Sequence, residues 1–383
     1  MKKICFVTTV SMTIRAFLLP LLQYLSENTD WELTVICDED LDLKEVLPAG
    51  VRYIPVSMKR GISLSGIGAV TKMAKIFRRE KFDLVQYSTP NASLYASVAA
   101  KLAGVPVRLY CQWGIAYVGF KGLKRRLFKS VEKLVCSMST QVEPDSFGNL
   151  RFCQSEGLYN DTKSSVIWNG SASGVNLKKF DISRKPAWRN EIRTKLGIEE
   201  NAFVYGFIGR ITGDKGINEL FAAYQRLLSQ QQDSYLLLAG RPEKEETLDS
   251  DLYNWAQKEP RVLFCGFTTQ VEQYMAAMDV YILPSYREGF GSAVVEAEAM
   301  GVPVIVTDIP GPTDAMIPEQ TGLLAKKADV DTLYEAMVRM KTDRSKLEQM
   351  GQAAYKLAKG KFEQTQLLRY ILEDRKGLMN DGK

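Results

Sequence analysis

Two glutamates flank a glycine-containing turn in the second half of the chain. Glu288 precedes Gly289 and Gly291, and Glu296 follows about one turn into a helix predicted to begin near Ser292. Backbone N–H groups at a helix start attract anions, and glycines allow a close approach. Both carboxylates can reach a ligand bound there and accept hydrogen bonds from sugar hydroxyls. The pattern therefore predicts a site for a phosphate-linked sugar, although Glu296 alone could equally cap or solvate the helix.

Two cations follow another apolar run. Residues 203–208 predict a strand that ends in a Gly209-Arg210 turn, and Lys215 comes five residues later, just before a new helix. Arginine binds phosphate oxygens through two parallel hydrogen bonds, whereas lysine acts as a point charge. Together they could neutralise a diphosphate group at the carboxyl end of one strand. The alternative for such loop residues is that both are solvated surface charges.

The chain contains no histidine. Ser-His-Asp and Cys-His nucleophiles, histidine general bases and histidine-ligated metal sites are therefore excluded. Any catalysis must use carboxylates, arginine, lysine, hydroxyl groups or backbone dipoles. The triplet Asp38-Glu39-Asp40 has the form of a metal-binding DxD motif, but it follows the predicted second strand, away from the diphosphate-binding candidates. We interpret it as a solvated loop and predict no metal site.

The length and composition indicate a globular protein of two domains. The 383 residues exceed the usual size of a single domain, and 45% are hydrophobic and 25% charged. Six cysteines show no CxxC spacing, and no secretory pattern is present at the start of the sequence, so a reducing cytoplasm fits best.

Apolar runs without polar alternation recur along both halves, separated by segments with helical spacing. Buried parallel strands have this pattern, and its repetition predicts an α/β protein with doubly wound parallel sheets. The rhythm breaks over 169–200, which we interpret as an interdomain linker between domains at 1–168 and 201–361. Strands are predicted within 3–8, 33–37, 82–87, 105–110, 203–208, 235–239, 262–264, 280–283 and 304–306.

Positive charge is concentrated in the first half. Residues 1–168 carry 22 lysines and arginines against 15 acidic residues, whereas 169–383 carry 28 against 30. The segment 120–135 is an amphipathic helix in pattern, with apolar residues on one side and basic residues around the rest. Such a helix either packs on the core with a solvated basic face, or contacts an anionic membrane or a diphosphate-bearing acceptor. No apolar run approaches the 18 residues of a transmembrane helix.

The glutamate spacing in EGFGSAVVEAEAMGVPVI resembles the EX7E motif of the GT4 family, whose members are retaining glycosyltransferases that use nucleotide sugars and have the GT-B fold. The resemblance is strong over 169–325 and looser before that, and it extends to the Gly-Arg…Lys-Gly segment. Asn169-Gly170, Gly174-Val175-Asn176 and Phe180 are similar to the family's NG…GVD…F linker, with asparagine where aspartate is common. It implies two Rossmann-like domains facing a cleft, with a final helix, 362–383, packed back on the first domain.

The family's donor site carries over residue by residue. The resemblance implies that Glu288 lies by the donor sugar, that Glu296 holds the ribose, and that Arg210 and Lys215 bind the diphosphate. Gly266-Phe267 resembles the segment that lines the nucleobase pocket. The implied catalytic residues are Glu288, Arg210 and Lys215, and the implied donor-binding residues are Gly209, Arg210, Lys215, Phe267, Glu288, Gly289, Phe290, Gly291, Ser292 and Glu296.

The first half departs from the family pattern at the acceptor side. Many relatives carry a histidine before Gly114, where this chain has Trp113, a residue that either stacks on a sugar or fills the core. Gln112 is a candidate for the missing hydrogen bond. The turn after the first strand lacks the usual glycine pair, and its hydroxyls either contact the acceptor or cap a helix. The expected acceptor-binding residues are Ser11, Met12, Thr13, Arg15, Trp113 and Tyr117.

The implied activity is transfer of a sugar from a nucleotide diphosphate sugar, with UDP as the expected nucleotide, to a glycan acceptor with retention of configuration. Within GT4 the chain most resembles enzymes that build bacterial capsule, O-antigen or lipid-linked oligosaccharides, which implies a role in surface polysaccharide synthesis. The basic first domain and the amphipathic helix favour a polyprenyl-diphosphate-linked glycan as the acceptor. We expect no cofactor, no metal and no nucleic-acid partner, and a cytoplasmic protein that can associate peripherally with the inner face of the plasma membrane. A sugar-nucleotide epimerase of the same architecture and a non-catalytic glycan-binding protein are the alternatives.

Overall fold

Twelve strands form two parallel sheets in a computed structural model that describes residues 1–58, 65–230 and 233–381. The chain divides into two units: unit 1 comprises Met1–Ser173 with Thr365–Lys383, and unit 2 comprises Gly174–Gln364. The strands of unit 1 are β1 (Lys3–Val7), β2 (Glu32–Cys37), β3 (Arg52–Pro55), β4 (Leu84–Tyr87), β5 (Val107–Gln112) and β6 (Gln141–Pro144). Those of unit 2 are β7 (Phe203–Ile208), β8 (Ser234–Ala239), β9 (Val262–Gly266), β10 (Val280–Leu283), β11 (Val304–Thr307) and β12 (Gly322–Ala325).

The two sheets share one topology. Their orders are β3-β2-β1-β4-β5-β6 and β12-β11-β10-β7-β8-β9, and every strand pair is parallel. In such a doubly wound sheet the order reverses between the first and fourth strands, and the crevice at their carboxyl ends is the usual ligand site. The two switch points lie at β1/β4 and at β7/β10. This arrangement confirms the predicted pair of doubly wound sheets.

Helices connect the strands. The first-half helices are α1 (Ser11–Thr13), a π-helical turn (Ile14–Leu18), α2 (Leu19–Asn28), α3 (Leu43–Val46), α4 (Ser65–Glu80), α5 (Pro90–Ala103), α6 (Gly122–Met138) and α7 (Phe147–Ser155). They are followed by α8 (Lys185–Leu196), α9 (Ile217–Gln230), α10 (Ser250–Lys258), α11 (Val271–Ala277), α12 (Ser292–Ala299), α13 (Val330–Thr342), α14 (Arg344–Lys361) and α15 (Gln364–Asp381). Short 3-10 turns lie at Ala116–Gly119, Asp161–Lys163, Ile182–Arg184, Gly213–Lys215, Glu245–Thr247 and Pro312–Asp314.

The central strands are buried on both faces, as their continuous apolar runs require. In unit 2, Val204, Tyr205 and Phe207 of β7 are fully buried in one core cluster with the residues of β8, β10 and β11. Unit 1 has a cluster on each face of its sheet, because alternate residues of β1 point to opposite sides: Ile4 and Phe6 to one, Cys5 and Val7 to the other.

The last helix, α15, belongs to unit 1 apart from its first residue. Leu367, Leu368 and Ile371 pack in the same cluster as Ile4 and Phe6. Its attachment is ionic as well as apolar, because the buried Arg375 pairs with Glu143 of β6 at 2.6 Å.

Residues 174–200 belong to unit 2, although the sequence pattern predicts a linker over 169–200. The difference arises at α8, whose Trp188 and Ile192 are buried in the core of unit 2 while Pro186 stands at its start. Arg193 is also buried and pairs with Asp279 at 2.8 Å, which fixes the helix to the sheet. Helix α8 is therefore difficult to recognise from sequence, because most of its residues are polar or charged and its buried apolar face is narrow.

Candidate functional site

The carboxyl ends of β7 and β10 carry the residues that the sequence selects. The two strands are hydrogen-bonded neighbours, with Val280 beside Tyr205. Gly209, Arg210 and Lys215 follow β7, and Glu288 follows β10, so the switch point of unit 2 brings both segments to one edge.

Lys215 and Glu288 form an ion pair at this edge, although 73 positions separate them in the chain. The distance from Lys215 Nζ to Glu288 Oε1 is 2.5 Å, and the side chains are only 17% and 14% exposed. A glycine makes the approach possible, because Gly216 has φ +70° and a Cβ there would lie 2.0 Å from the Pro284 carbonyl oxygen. The pair places one cation and one acceptor within reach of the same ligand.

Arg210 lies beside this pair in sequence but points to solvent. Its guanidinium contacts Glu243 at 3.4 Å, and both side chains are about half exposed, so the contact holds the arginine weakly. Gly209 precedes it with φ +153°, and the carbonyl oxygen of Gly209 would lie 1.8 Å from a Cβ on Gly240. The tight packing of the two glycines fixes the backbone, while the arginine side chain can be recruited by an anion.

The helix predicted near Ser292 begins there. Gly291 is its N-cap residue with φ +85°, and no side chain caps the helix. Its first N–H groups therefore have no side-chain acceptor and suit an anion. Gly311 packs against the turn so closely that a Cβ would lie 1.9 Å from the Gly289 carbonyl oxygen, which holds the loop before the helix in place. Phe290, expected to bind the donor, is instead buried against Phe362, so only its backbone is available.

Glu296 is half-buried on the second turn of α12. Burial raises the pKa of its carboxyl to about 7, Lys179 opposes the rise, and Glu272 adds to it. Lys179 Nζ lies 3.7 Å from Glu272, so one cation serves two carboxylates. The EX7E spacing identified Glu296 but did not place Lys179 and Glu272 beside it. The linker motif, which contains Lys179, was the sequence feature from which this neighbour could have been predicted.

Phe267 is 64% exposed after β9, at the same edge of the sheet. The Arg241 guanidinium lies over its ring, 5.4 Å from the centroid. The Arg241 position was missed at the sequence level, yet Gly240-Arg241 after β8 repeats the Gly209-Arg210 pattern after β7. An exposed aromatic ring and a planar cation together form a surface on which a nucleobase can stack.

In unit 1, the candidate acceptor residues of the first turn follow β1. Ser11, Met12 and Thr13 form α1, whose N-cap is Val10 without a side-chain cap, so the capping alternative for Ser11 and Thr13 is not observed. Arg15 pairs with Asp40 at 3.3 Å. Hydrogen bonds from Ser11 and Arg15 outweigh desolvation and lower the pKa of the Asp40 carboxyl, which ties the DxD-like triplet to this turn.

Two further candidates are buried, Tyr117 for acceptor binding and Gln112 for the missing hydrogen bond. Tyr117 is fully buried, stacked on Phe152, with its hydroxyl 3.4 Å from Glu156, so its side chain belongs to the core. Gln112 is also buried, and it donates to Glu132 and accepts from Tyr159, which leaves it committed to an internal network. Both lie near the end of β5, where sequence fixes the position of a residue but not which way it points.

Trp113 is half-buried, and its ring lies 5.5 Å from that of Phe17. It partly fills the core of unit 1 and partly faces outward, so both interpretations of this residue remain compatible with its position.

Helix α6 carries an exposed apolar stripe. Leu123, Leu127 and Leu134 are 82%, 55% and 40% exposed, and their spacing places them on one side of the helix. Val135 and Cys136, which lie outside this stripe, are buried. Core packing therefore accounts for only part of the predicted apolar face. The basic residues along this segment are Lys121, Lys124, Arg125, Arg126, Lys129 and Lys133.

Within residues 1–58, 65–230 and 233–381, no group of three or more cysteine, aspartate or glutamate side chains is arranged to hold a metal ion. No helix in these ranges combines the length and apolar character needed to cross a membrane.

Comparison with known proteins extends these observations over the whole chain. Residues 3–146 match the family model described as glycosyl transferase 4-like, and residues 189–357 match glycosyl transferases group 1. The capsular polysaccharide biosynthesis glycosyltransferase CapM of Staphylococcus aureus is 28% identical over 366 residues, covering 94% of this chain and 93% of CapM. An Escherichia coli protein, UDP-Gal:alpha-D-GlcNAc-diphosphoundecaprenol alpha-1,3-galactosyltransferase, is 28% identical, covering 83% of this chain and 82% of its own length.

The crystal structure of HepE from Anabaena in complex with UDP has the same fold. The TM-score is 0.80 at 20% identity, covering 98% of this chain and 100% of HepE. Each half of the chain thus matches a GT4-type glycosyltransferase family model, the whole chain has the fold of a solved glycosyltransferase-like neighbour, and the protein is a glycosyltransferase with the GT-B fold.

Proposed function

We propose that this glycosyltransferase moves a sugar from a UDP-sugar to a polyprenyl-diphosphate-linked glycan, with retention of configuration and without a metal ion, in the synthesis of a bacterial surface polysaccharide. The observation that carries the proposal is the 2.5 Å pair of Lys215 and Glu288 at the switch point of unit 2. A cation for the leaving group and an acceptor for sugar hydroxyls stand together where α/β sheets bind ligands.

The chemistry follows from the charges that develop. As the bond between the anomeric carbon and the phosphate oxygen breaks, negative charge grows on the diphosphate and positive charge on the sugar ring. Lys215, Arg210 and the N-terminus of α12 stabilise the diphosphate, and Glu288 orients the ring through its hydroxyls. The acceptor oxygen bonds to the anomeric carbon on the same face, and its proton passes to the leaving phosphate oxygen. This front-side route requires no second carboxylate and no metal.

The nucleoside part is assigned to the groups around Glu296 and Phe267. Glu296 accepts hydrogen bonds from the ribose hydroxyls, and the base stacks on the ring of Phe267 beside Arg241. UDP is chosen because the E. coli relative is named for a UDP-sugar and HepE was solved with UDP. The E. coli name also includes a diphosphoundecaprenol acceptor, which supports the polyprenyl assignment.

Acceptor binding is assigned to the turn after β1 in unit 1. Ser11 and Thr13 offer hydroxyls, Met12 is exposed, and Arg15 can meet a phosphate on giving up its weak contact with Asp40. Trp113 offers a ring edge near the end of β5. Tyr117 and Gln112 are not included, because both are buried.

We assign α6 to the membrane that carries the acceptor. Its exposed leucines can enter the lipid boundary while Lys124, Arg126 and Lys133 meet anionic headgroups, the arrangement of an interfacial helix. Arg125 and Lys129 are instead paired with Glu156. Flotation with vesicles of phosphatidylglycerol and phosphatidylcholine tests this. Binding to the anionic vesicles should fall sharply in Leu123→Ser/Leu127→Ser, and unchanged flotation would contradict the assignment.

The decisive experiment for the reaction begins with a thermal-shift panel of UDP-, GDP- and ADP-sugars, which selects the donor. Release of UDP is then measured with and without a polyprenyl-diphosphate-linked sugar acceptor, in the presence of a chelator. Glu288→Ala should nearly abolish transfer, whereas Arg226→Met, which removes an exposed cation of the same unit, serves as the matched control. Donor conversion without acceptor would indicate an epimerase, and no UDP release with any acceptor a binding protein. The anomeric configuration of the product, read by NMR, tests retention.

A further inference from the structure

A second cavity lies in unit 2, at the opposite edge of the sheet from the donor site. It has a volume of about 530 Å³ and is lined by Asp279, which precedes β10, and by Gly301 and Pro303, which precede β11. Glu288, by contrast, follows β10. Because the strands are parallel, the cavity stands at their amino ends and is separate from the site of the proposed reaction.

Two helices complete the wall and bring basic side chains to it. Lys185 and Arg189 come from α8, and Lys356 comes from α14. Arg189 is already committed, since it donates to the Ala277 and Met278 carbonyl oxygens and pairs with Asp279 at 2.7 Å. Arg189 and Asp279 therefore satisfy each other's charge within the wall of the cavity and are not expected to bind a ligand.

The two lysines have no such partners; Lys185 is half-buried, and Lys356 is exposed at the rim of the cavity. Lys185 Nζ donates one hydrogen bond to the Gly301 carbonyl oxygen at 3.0 Å, which leaves two N–H donors. In the part of the chain that the structure describes, neither Lys185 nor Lys356 has a carboxylate oxygen within 4.0 Å. Burial lowers the pKa of the Lys185 ammonium to about 8, Arg189 and Arg193 lower it further, and Asp279 opposes them. An anion in the cavity would relieve this cost.

The other residues that line the cavity suit a ligand whose carbon chain carries hydroxyl groups. Glu348 and Gln352 of α14 offer hydrogen-bond acceptors, and Tyr355 and Leu347 offer apolar surface. A wholly anionic ligand would be repelled by Glu348, and a wholly apolar ligand would give Glu348 no hydrogen-bond donor. A hydroxylated carbon chain with one phosphate satisfies both the lysines and the glutamate.

We propose that this cavity is a binding site for a small phosphorylated polyol or sugar, whose phosphate is held by Lys185 and Lys356 and whose hydroxyls face Glu348 and Gln352. The assignment does not depend on the identity of the donor or the acceptor.

Titration calorimetry with sorbitol 6-phosphate tests the proposal, since this open-chain compound has no anomeric carbon and cannot act as a donor. Sorbitol and inorganic phosphate are the comparison ligands. Binding should be saturable, weaker for both comparison ligands, and reduced roughly tenfold in Lys356→Gln, which removes one charge-assisted contact. Lys346→Gln, on the same helix but paired with Glu319, is the matched control and should bind as the wild type does.

The double variant Lys185→Gln/Lys356→Gln should abolish binding. If the double variant does not fold because Lys185 no longer donates to the Gly301 carbonyl oxygen, Lys356→Gln alone still tests the proposal. Binding that is unchanged in Lys356→Gln but lost in Lys215→Met would place the ligand in the donor site and overturn the proposal. No saturable binding of sorbitol 6-phosphate, or equal binding of inorganic phosphate, would overturn it as well.

Discussion

Replacing Lys215 by methionine removes the half-buried cation of the donor site while keeping most of its volume. The lysine is 17% exposed and lies 2.5 Å from Glu288. If it stabilises the departing diphosphate, its loss should cost the magnitude seen for removal of one preorganised donor, about 2.7–4 kcal/mol, or roughly 10²–10³-fold in kcat. The wild type and Lys215→Met are compared by release of UDP at saturating donor and acceptor.

The partner residue makes this prediction sharper. Without Lys215, the charge of Glu288 faces the diphosphate unopposed, so the single variant suffers repulsion as well as loss of a cation. Glu288→Gln alone should lose about 10–10²-fold, the value of a hydrogen bond to a charged group. The double variant should lose less than the product of the two single losses, because the pair acts as a unit.

Stability provides the control for folding. Because the pair is largely buried, removal of one partner also destabilises the fold, so kcat is measured under conditions in which urea unfolding shows each variant to be folded. A Lys215→Met enzyme with kcat within about threefold of the wild type, a difference under 1 kcal/mol, would refute the role assigned to this lysine.

Three further predictions address other parts of the structure. Affinity for UDP should increase as pH rises through about 7, because the carboxylate form of Glu296 accepts hydrogen bonds from the ribose hydroxyls. Because folding raises the pKa of Glu296, this residue stabilises the folded state fully below its unfolded pKa of 4.5, and that stabilisation is lost as pH rises to about 7. Glu296→Gln should flatten both pH profiles. Arg375→Met should destabilise unit 1 by about 3–5 kcal/mol in urea unfolding, because Glu143 would remain buried without its cation. Gly311→Ala should reduce both the melting temperature and kcat, since its Cβ would lie 1.9 Å from the Gly289 carbonyl oxygen; an unchanged melting temperature would contradict this reasoning.

The Arg375 prediction concerns the attachment of α15. Its guanidinium donates to both oxygens of Glu143 at 2.6 and 2.7 Å and to Gln86 at 3.2 Å, and it is 2% exposed. The double variant Arg375→Met/Glu143→Gln should recover part of the lost stability, because Glu143 then no longer leaves an unpaired charge in the core, although the more exposed Asp374 also loses its partner. Equal losses in the single and double variants would show that packing, not charge, holds the helix.

The central strands and the edge strand β9 could be predicted from sequence, and the other three edge strands could not. β7 and β10 occupy the predicted ranges because they are buried on both faces and read as continuous apolar runs. β3, β6 and β12 were missed. Each has four residues and one neighbouring strand, and β3 is partly exposed, so apolar content alone does not distinguish such a strand from a loop.

The candidate site was predictable where it rests on backbone geometry. The helix start at Ser292 follows from the glycine turn, and the approach of Lys215 to Glu288 follows from strand adjacency at a switch point. Side-chain direction was not predictable in the same way. Tyr117, Gln112 and Phe290 occupy loops or strand ends near the proposed sites, yet each points into a core, because long-range packing determines their orientation.

The two switch points of the molecule share one topology but differ in charge. At β7/β10 the strand ends lead to Arg210, Lys215 and Glu288, whereas at β1/β4 the backbone N–H of Thr9 donates to the Thr89 hydroxyl and the two hydroxyls lie 2.8 Å apart. The donor diphosphate requires more than one fixed cation, and the unit 2 switch point offers both Arg210 and Lys215. The unit 1 switch point offers hydroxyl groups for sugars, and Arg15, the cation that follows β1, is balanced by Asp40. The positive balance of the first half therefore does not reside at its switch point, and α6, with its exposed leucines among basic residues, accounts for much of it. Charge and topology together therefore support the proposed assignment of donor binding to the switch point of unit 2 and of membrane contact to α6 in unit 1.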